Sequence, residues 1–169
     1  MKINARLIYT SFIIVVLLLM VYPSVSIAEH MPERTISPEQ MYLGGLTCGQ
    51  TRDQVERIYG DPTAYSNQEY VYGNSLFITF EQYKDAKRIW RIVTNANNGI
   101  ATPAGVRVGT NEHVLKKIYG EPSGVSSPSQ HTDYCAIYFY RGYGEDTIKE
   151  FLFYVRDRKI IKIQLSVYD

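Results

Sequence analysis

Hydrophobic and polar positions change their period along the chain, from three or four residues to two, and they do so twice. Apolar residues at helical spacing occupy residues 51–59 and 111–119, and each segment is followed by a glycine, an acidic residue and a proline. This pattern predicts two short amphipathic helices that stop at the glycines. One stripe of each helix is expected to be buried. The stripe residues are Val55, Ile58, Tyr59, Leu115, Ile118 and Tyr119.

Strand-like alternation follows each predicted helix. In the second half of the chain Cys135, Ile137 and Phe139 are expected to face the core, and the tyrosines that alternate with them are expected to face away. The pairs Gly73-Asn74 and Asp157-Arg158 are predicted to form tight turns. The predicted strands cover residues 69–72, 76–82, 88–94, 134–140, 151–156 and 161–167.

An offset of sixty residues aligns the two helical segments with each other. It places Gly60 on Gly120 and Pro62 on Pro122, which indicates a tandem duplication. The predicted fold class is α+β, with two tandem repeats that each consist of a helix and a three-stranded antiparallel meander. We expect the helices to pack on one face of the combined sheet. The repeats are predicted to cover residues 43–99 and 100–169.

Residues 1–28 have the organisation of a secretory signal peptide. Lys2 and Arg6 precede an apolar run, and the small residues after it predict cleavage behind Ala28. The alternative is an uncleaved anchor, but a membrane span needs about 20 apolar residues and the run is shorter. We expect a periplasmic or extracellular protein with no stable membrane insertion after cleavage. Residues 29–42 are polar and predicted to be mobile, although residues 37–40 could begin a short helix.

Charge does not point to a polyanionic partner. Cleavage would remove Lys2 and Arg6 from the 18 basic residues, which leaves 16 against 17 acidic ones. A nearly neutral chain without a basic block is not typical of a protein that binds nucleic acid or anionic lipid. We therefore expect neither as a partner.

Two runs share a glycine, a short polar stretch, a helix and a Gly-x-Pro stop: LGGLTCGQTRDQVERIYGDP (43–62) and PAGVRVGTNEHVLKKIYGEP (103–122). This signature resembles that of the BamE (SmpA/OmlA) and beta-lactamase-inhibitor-protein-like superfamily. The resemblance implies helices packed on an antiparallel sheet and a function in binding, which is outer-membrane assembly for BamE and the gripping of an enzyme for the tandem inhibitor. Unlike BamE, this chain is duplicated and has no cysteine at the predicted cleavage site. Unlike the inhibitor, it has no second cysteine within either repeat.

The two cysteines are Cys48 and Cys135. Export would permit a disulfide between them, and the alternative is two buried thiols. Cys135 also lies near His131 and Asp133, which together are the parts of an activated nucleophile. A strand would turn Cys135 toward the core, whereas a reactive thiolate needs exposure and a positive neighbour. We expect no catalysis from this group.

The sequence does not indicate a metal or a cofactor. His30, His113 and His131 are scattered, without the paired spacing that fixes two ligands on one element. The chain contains neither a glycine-rich phosphate loop nor a Gly-x-Ser-x-Gly elbow.

A tyrosine-rich sheet face is the candidate site that remains. Tyrosine and arginine combine large contact area with polar tips and are enriched where proteins bind each other. The alternative is that tyrosines favour strands and stack on cross-strand neighbours without a ligand. The predicted binding residues are Tyr134, Tyr138, Tyr140, Tyr154 and Arg156, with Tyr72 and Trp90 extending the surface from the first repeat.

These observations predict an exported, non-catalytic protein-binding or structural module of the cell envelope that contacts a protein partner through a sheet face. An envelope-assembly factor resembling BamE is one alternative. A small cysteine-dependent hydrolase that uses Cys135 is the other.

Overall fold

The computed structural model describes residues 35–83, 86–129, 131, 135–144 and 147–168. In chain order, its elements are a 3-10 helix at Pro38–Gln40, α1 (Arg52–Tyr59), β1 (Ala64–Ser66), β2 (Glu69–Tyr72), β3 (Leu76–Tyr83), β4 (Ala86–Thr94), α2 (Glu112–Tyr119), β5 (Gly124–Ser126), β6 (Ala136–Tyr143), β7 (Ile148–Arg156) and β8 (Lys159–Tyr168).

All eight strands form one antiparallel sheet in the order β1-β2-β3-β4-β8-β7-β6-β5. The predicted fold class of two helix-plus-three-stranded repeats is wrong, because the described chain is mostly an eight-stranded sheet with only two short α-helices. Each half contributes four strands. The strands without a sequence signal are β1 and β5, which are three residues long. Three residues are too few to show an alternation of apolar and polar positions.

The two halves meet where β4 pairs with β8. Ile92 lies opposite Leu165, and Thr94 lies opposite Ile163. All four side chains have an exposed fraction of 0%. The hydrophobic core is therefore continuous across the junction between the two halves.

Both helices pack against the same face of the sheet. Val55 of α1 and Leu115 of α2 are fully buried, and the ring of Tyr119 contacts the rings of Tyr140 and Phe153. We call this side the helix face. Its buried strand residues are Tyr72, Leu76, Ile78, Ile89, Ile92, Thr94, Tyr138, Tyr140, Phe151, Phe153, Val155, Ile160, Ile163 and Leu165.

Helix starts and stops follow local sequence signals. At the start of α1, the Gln54 side-chain oxygen accepts a hydrogen bond from the backbone N–H of Thr51 over 2.8 Å. Gly60 and Gly120 end the two helices with φ angles of 73° and 83°. These angles are readily adopted by glycine and rarely by other residues, so both predicted stops are confirmed.

The outer side of each helix carries an exposed isoleucine. Ile58 is 52% exposed and Ile118 is 41% exposed, so the prediction that both are buried is wrong. In the second helix, Leu115 and Tyr119 are buried four residues apart and form the inward line. Ile118 lies one position away from that line, and a helix of only eight residues has too few turns to bury a broad stripe.

The segment before α1 is part of the core. Ile36 and Met41 are buried, and the Ile36 N–H donates to the carbonyl oxygen of Arg141 on β6 over 2.7 Å. A Cβ atom on Gly142 would lie 2.8 Å from the Ile36 carbonyl oxygen, so this approach requires glycine. The prediction of a mobile segment is therefore wrong for residues 35–42. The predicted signal peptide, residues 1–28, lies outside the described residues.

The loops that precede the helices dock on the sheet through equivalent backbone bonds. The Gly49 N–H donates to the Ile89 carbonyl oxygen over 2.8 Å, and the Gly109 N–H donates to that of Ile160 over 2.7 Å. Gly49 and Gly109 are sixty residues apart. The internal similarity therefore extends from the sequence to local interactions.

Candidate recognition surface

The sheet has a second face, opposite the helices, which we call the open face. Among the described residues neither α-helix lies over it. One cross-strand row on this face runs through six strands, each residue in register with the next. The fourth residue of the row is polar and the other five are apolar. The row consists of Val71, Phe77, Val93, Gln164, Leu152 and Phe139.

The apolar residues of this row are only partly withdrawn from solvent. Phe77, Val93 and Phe139 are half-buried, whereas Leu152 near the middle is 8% exposed. Side chains on neighbouring strands of one face lie about 4.5–5.5 Å apart at Cβ, so they shield one another without covering the row. The result is a contiguous apolar strip across the sheet.

A polar row runs beside the apolar row and contains two ion pairs. Arg91 on β4 lies 2.9 Å from the Glu69 carboxylate, and Arg141 on β6 lies 2.9 Å from that of Glu150. The Glu150 side chain is 8% exposed, and Arg141 compensates its charge. The Gln164 amide donates to Ser166 over 2.8 Å. Most charge near the strip is therefore matched within the sheet.

Tyr154 and Arg156 are the predicted binding residues that the structure places on this open face. Tyr154 lies opposite Lys162, whose ammonium is 3.5 Å from the tyrosine ring centroid. This is a cation–π contact. Arg156 is exposed at the end of β7.

Tyr72, Tyr138 and Tyr140 lie on the opposite side, the helix face. Their exposed fractions are 6%, 8% and 0%, so the prediction that they belong to an exposed binding face is wrong. Tyr138 and Tyr140 pair with the core residues Phe153 and Phe151 across β6 and β7. Tyr134 lies outside the described residues.

Hydrogen bonds to α2 explain why tyrosine, and not the neighbouring isoleucine and phenylalanine, faces the helices. The Tyr138 hydroxyl donates to the Glu112 carboxylate over 2.9 Å, and that of Tyr140 donates to the Gly120 carbonyl oxygen over 3.0 Å. Burial, and then the Glu112 carboxylate, raise the pKa of Tyr138 to about 12. Burial also raises the pKa of Tyr140. These phenols stay protonated and keep their bonds.

Trp90 belongs to neither row. Phe80 pairs with Ile89 and Thr79 pairs with Arg91, so Trp90 is the additional residue of a β-bulge. It is half-buried and lines a cavity of about 330 Å³ near the point where β4 and β8 separate.

Cys48 lines the same cavity. Its single S–H is shared between two acceptors, the Trp90 carbonyl oxygen at 3.3 Å and the Leu165 carbonyl oxygen at 3.7 Å. Burial raises the pKa of the Cys48 thiol to about 12, with Lys149 acting in the opposite direction. The thiol therefore connects the two central strands and is not poised to react as a thiolate.

Of the two alternatives that the sequence left open for the cysteines, the structure has the buried thiols: Cys48 and Cys135 are both free and buried. Cys135 is 1% exposed and immediately precedes β6. Of the residues grouped with it in the sequence, His131 is exposed and Asp133 lies outside the described residues. A buried thiol is not placed to attack a substrate carbonyl, so the geometry does not favour the hydrolase alternative.

The described residues also lack the features of a metal site and of a membrane-spanning helix. They contain no group of three or more histidine, cysteine or acidic side chains that could hold a metal ion. His113 is an exposed residue of α2. In the part of the chain that the structure describes, no helix is long and apolar enough to cross a membrane.

The residues missed by sequence reasoning are those of the apolar strip. The strand alternation predicts that Phe139 faces the core, whereas the structure places it on the open face. The alternation of residues along each strand groups the strip residues on one face. Both faces of β6 and β7, however, carry large apolar or aromatic side chains. Alternation with a period of two assigns the residues of a strand to two faces, but it does not show which face the helices cover.

Comparison with family models, curated proteins and solved structures found no match to this chain. The resemblance to the BamE and inhibitor-like superfamily therefore stays a prediction from the two sequence runs.

Proposed function

We propose that this protein is an exported, non-catalytic binding module that contacts a protein partner through the open face of its sheet. The observation that carries the proposal is the in-register strip of Val71, Phe77, Val93, Leu152 and Phe139, interrupted only by Gln164. Contiguous apolar surface bordered by polar residues is typical of protein interaction sites.

The composition of the open face supports this proposal. Phenylalanine, tyrosine and arginine are enriched in interfaces, and Phe77, Phe139 and Tyr154 lie on this side together with Arg91. Since the Arg91–Glu69 and Arg141–Glu150 pairs already satisfy their charges, a partner could cover the strip without leaving those charges unpaired.

The construction of the sheet also suits recognition. Strip residues lie on strands that are paired on both sides, where little backbone freedom remains to be lost on binding. Export of the protein is the expectation that follows from the organisation of residues 1–28. The proposed partner is therefore a protein of the envelope or of the surrounding fluid.

Affinity capture with matched variants tests the proposal. Phe77→Ser combined with Phe139→Ser shortens two aromatic residues of the open face, while Ile58→Ser combined with Ile118→Ser removes two exposed apolar residues on the helix side. We expect a protein from envelope or culture fluid to be retained by the wild type and by the isoleucine variant, and to be lost from the phenylalanine variant. Circular dichroism must show that both variants are folded.

Two outcomes would count against the proposal. Equal recovery of the same proteins by all three folded forms would show that the open face is not the binding surface. Recovery no greater than that of an unrelated control protein would remove protein binding altogether.

A further inference from the structure

The cavity of about 330 Å³ that Cys48 and Trp90 line lies in a cleft between strands β4 and β8. The pairing of these strands ends with Arg91 opposite Ser166, and residues 86–90 of β4 continue without a described partner on β8. The cavity lining comes from β3 and β4 on one side of this gap and from β7 and β8 on the other. A cavity of this size can hold a small organic molecule.

Lys149 on β7 brings a positive charge to this cavity. Its ammonium donates to the hydroxyl of Thr47 over 2.9 Å, and Thr47 directly precedes Cys48. Burial raises the pKa of the Cys48 thiol and Lys149 lowers it, so the ammonium acts on a group of the cavity wall. An ammonium has three donors, and the Thr47 hydroxyl occupies one of them.

Arg88 on β4 brings a second positive charge to the same place. Its guanidinium donates to the carbonyl oxygen of Gly49, another residue of the lining, over 3.0 Å. The two cations are thus anchored at Thr47 and Gly49, whose Cα atoms are at most about 7 Å apart because only one residue separates them. This common anchor brings both charges to one end of the cavity.

Neither cation has a counter-ion among the described residues. Lys149 and Arg88 are both half-buried, and no ion pair within the described part of the chain includes either of them. A charge that is partly withdrawn from water is unfavourable unless an opposite charge compensates it. A bound anion would supply that compensation.

Glu81 is the only acidic residue in the described lining. It lies opposite Arg88 across β3 and β4, yet these two described residues form no ion pair. Glu81 is exposed, and water and salt screen an exposed charge more than a half-buried one. Two cations against one exposed carboxylate leave the described lining with a net positive charge.

The other part of the wall is apolar. Ile89 is buried, and Trp90 and Val167 are half-buried. An indole ring offers a large apolar contact area to a flat or branched hydrocarbon group. The cavity therefore combines a cationic end with an apolar wall.

We propose that this cavity binds a small organic carboxylate, whose charged end is held by Lys149 and Arg88 and whose apolar end packs against Trp90 and Val167. The carboxylate belongs either to a free acid or to the carboxyl terminus of a peptide. The residues of the apolar strip are not part of the described lining, so the site does not depend on the function proposed for the open face.

Fluorescence titration of the purified protein tests this site. Trp90 is the only tryptophan of the sequence, so tryptophan emission reports on the cavity alone. The probe is sodium phenylacetate, with phenylacetamide as the neutral control and phenethylammonium chloride as the cationic one, all at equal ionic strength. We expect a saturable change of emission with phenylacetate and only a non-saturating change with either control.

Substitutions assign the binding to named groups. Lys149→Met should weaken phenylacetate binding about tenfold or more, because a charge-assisted hydrogen bond is lost. Arg88→Met should weaken it severalfold, and Glu81→Gln should strengthen it. Lys159→Met is the matched control: Lys159 pairs with Asn111 before α2 as Arg88 pairs with Thr51 before α1, and it lies outside the cavity lining. It should leave the affinity unchanged.

Circular dichroism must show that each variant is folded. If Lys149→Met does not fold, the comparison of Arg88→Met with Lys159→Met decides the question.

A parallel titration with N-acetylglycyl-phenylalanine, which has a free carboxyl terminus, separates the two sources of carboxylate. Tighter binding than phenylacetate supports a peptide terminus, and equal or weaker binding supports a free acid. The proposal is overturned if phenylacetate does not saturate, if phenylacetamide binds equally well, or if the folded Lys149→Met and Arg88→Met variants bind like Lys159→Met.

Discussion

The hydroxyl of Tyr140 donates a hydrogen bond to the carbonyl oxygen of Gly120 over 3.0 Å. It thereby connects strand β6 to the residue that ends α2. In the first half, Tyr72 packs on Tyr59 much as Tyr140 packs on Tyr119, with ring centroids 5.9 and 5.8 Å apart. Yet the Tyr72 hydroxyl has no such partner among the described residues. The two halves repeat the aromatic contact and differ in the hydrogen bond.

Phenylalanine substitutions at the two tyrosines should therefore have different effects on stability. Tyr140→Phe removes a satisfied hydrogen bond and should lower the free energy of unfolding by about 0.5–1.5 kcal/mol. Tyr72→Phe removes a buried hydroxyl that has no partner, so the free energy should stay the same or rise slightly. Urea unfolding at neutral pH measures both. Equal losses in the two variants would show that Tyr72 has a partner in solution.

Gly142 should not tolerate a side chain. In Gly142→Ala the new Cβ would lie 2.8 Å from the Ile36 carbonyl oxygen and 2.9 Å from the Met41 side chain. We expect a loss of about 1–3 kcal/mol in the free energy of unfolding, as for other overpacked sites. Gly124→Ala is the matched control, because its Cβ would meet only Phe139 at 3.8 Å. A Gly142→Ala variant as stable as this control would contradict the docking of residues 35–42.

Thiol labelling distinguishes the two buried thiols from the disulfide that the sequence permitted. Since Cys48 and Cys135 are 5% and 1% exposed, the native protein should react slowly with a thiol reagent at neutral pH. Unfolding without reductant should release two thiols per chain, and added reductant should not increase the number. Finding thiols only after reduction would establish a bridge.

Alkaline pH should destabilise the fold through its buried tyrosines. The folded pKa of Tyr138 is about 12, above the value of about 10 for an unfolded tyrosine. Between these values the unfolded chain loses the proton first, so stability is complete below about pH 10 and falls as the pH rises toward 12. Tyr138→Phe should reduce this fall by on the order of 1–2 kcal/mol.

Urea unfolding at pH 9 and pH 11 measures this difference. Tyr65→Phe, which replaces a tyrosine that is 63% exposed, should keep the wild-type dependence. If the free energy of unfolding fell equally in the wild type and in Tyr138→Phe between pH 9 and pH 11, the pKa of Tyr138 would not be raised in the folded protein.

Local structure could be predicted from the sequence better than the fold. The helix stops at Gly60 and Gly120 and the tight turn at Asp157-Arg158, which has φ angles of 51° and 62°, match their sequence signals. These features depend on a few neighbouring residues. The number of strands could not be read in the same way, because β1 and β5 are defined by pairing with β2 and β6.

The candidate site could not be located from residue type. Tyrosine is amphipathic, and Tyr138 can be buried with its hydroxyl satisfied, because Glu112, 26 positions away in the chain, accepts a hydrogen bond from that hydroxyl. Phe139 lies on the open face although it is the more apolar of the two. Which side of a two-sided apolar strand is covered depends on where the helices pack, and local periodicity does not contain that information.

Photo-crosslinking from single positions shows whether the open face binds a protein. A benzophenone amino acid would replace Phe77 or Phe139 on the open face, and Ile58 on the helix side in the control. If the open face binds a protein, positions 77 and 139 should form a covalent adduct with the same partner protein, and position 58 should form none. An adduct that forms only from position 58, or equally from all three, would contradict it.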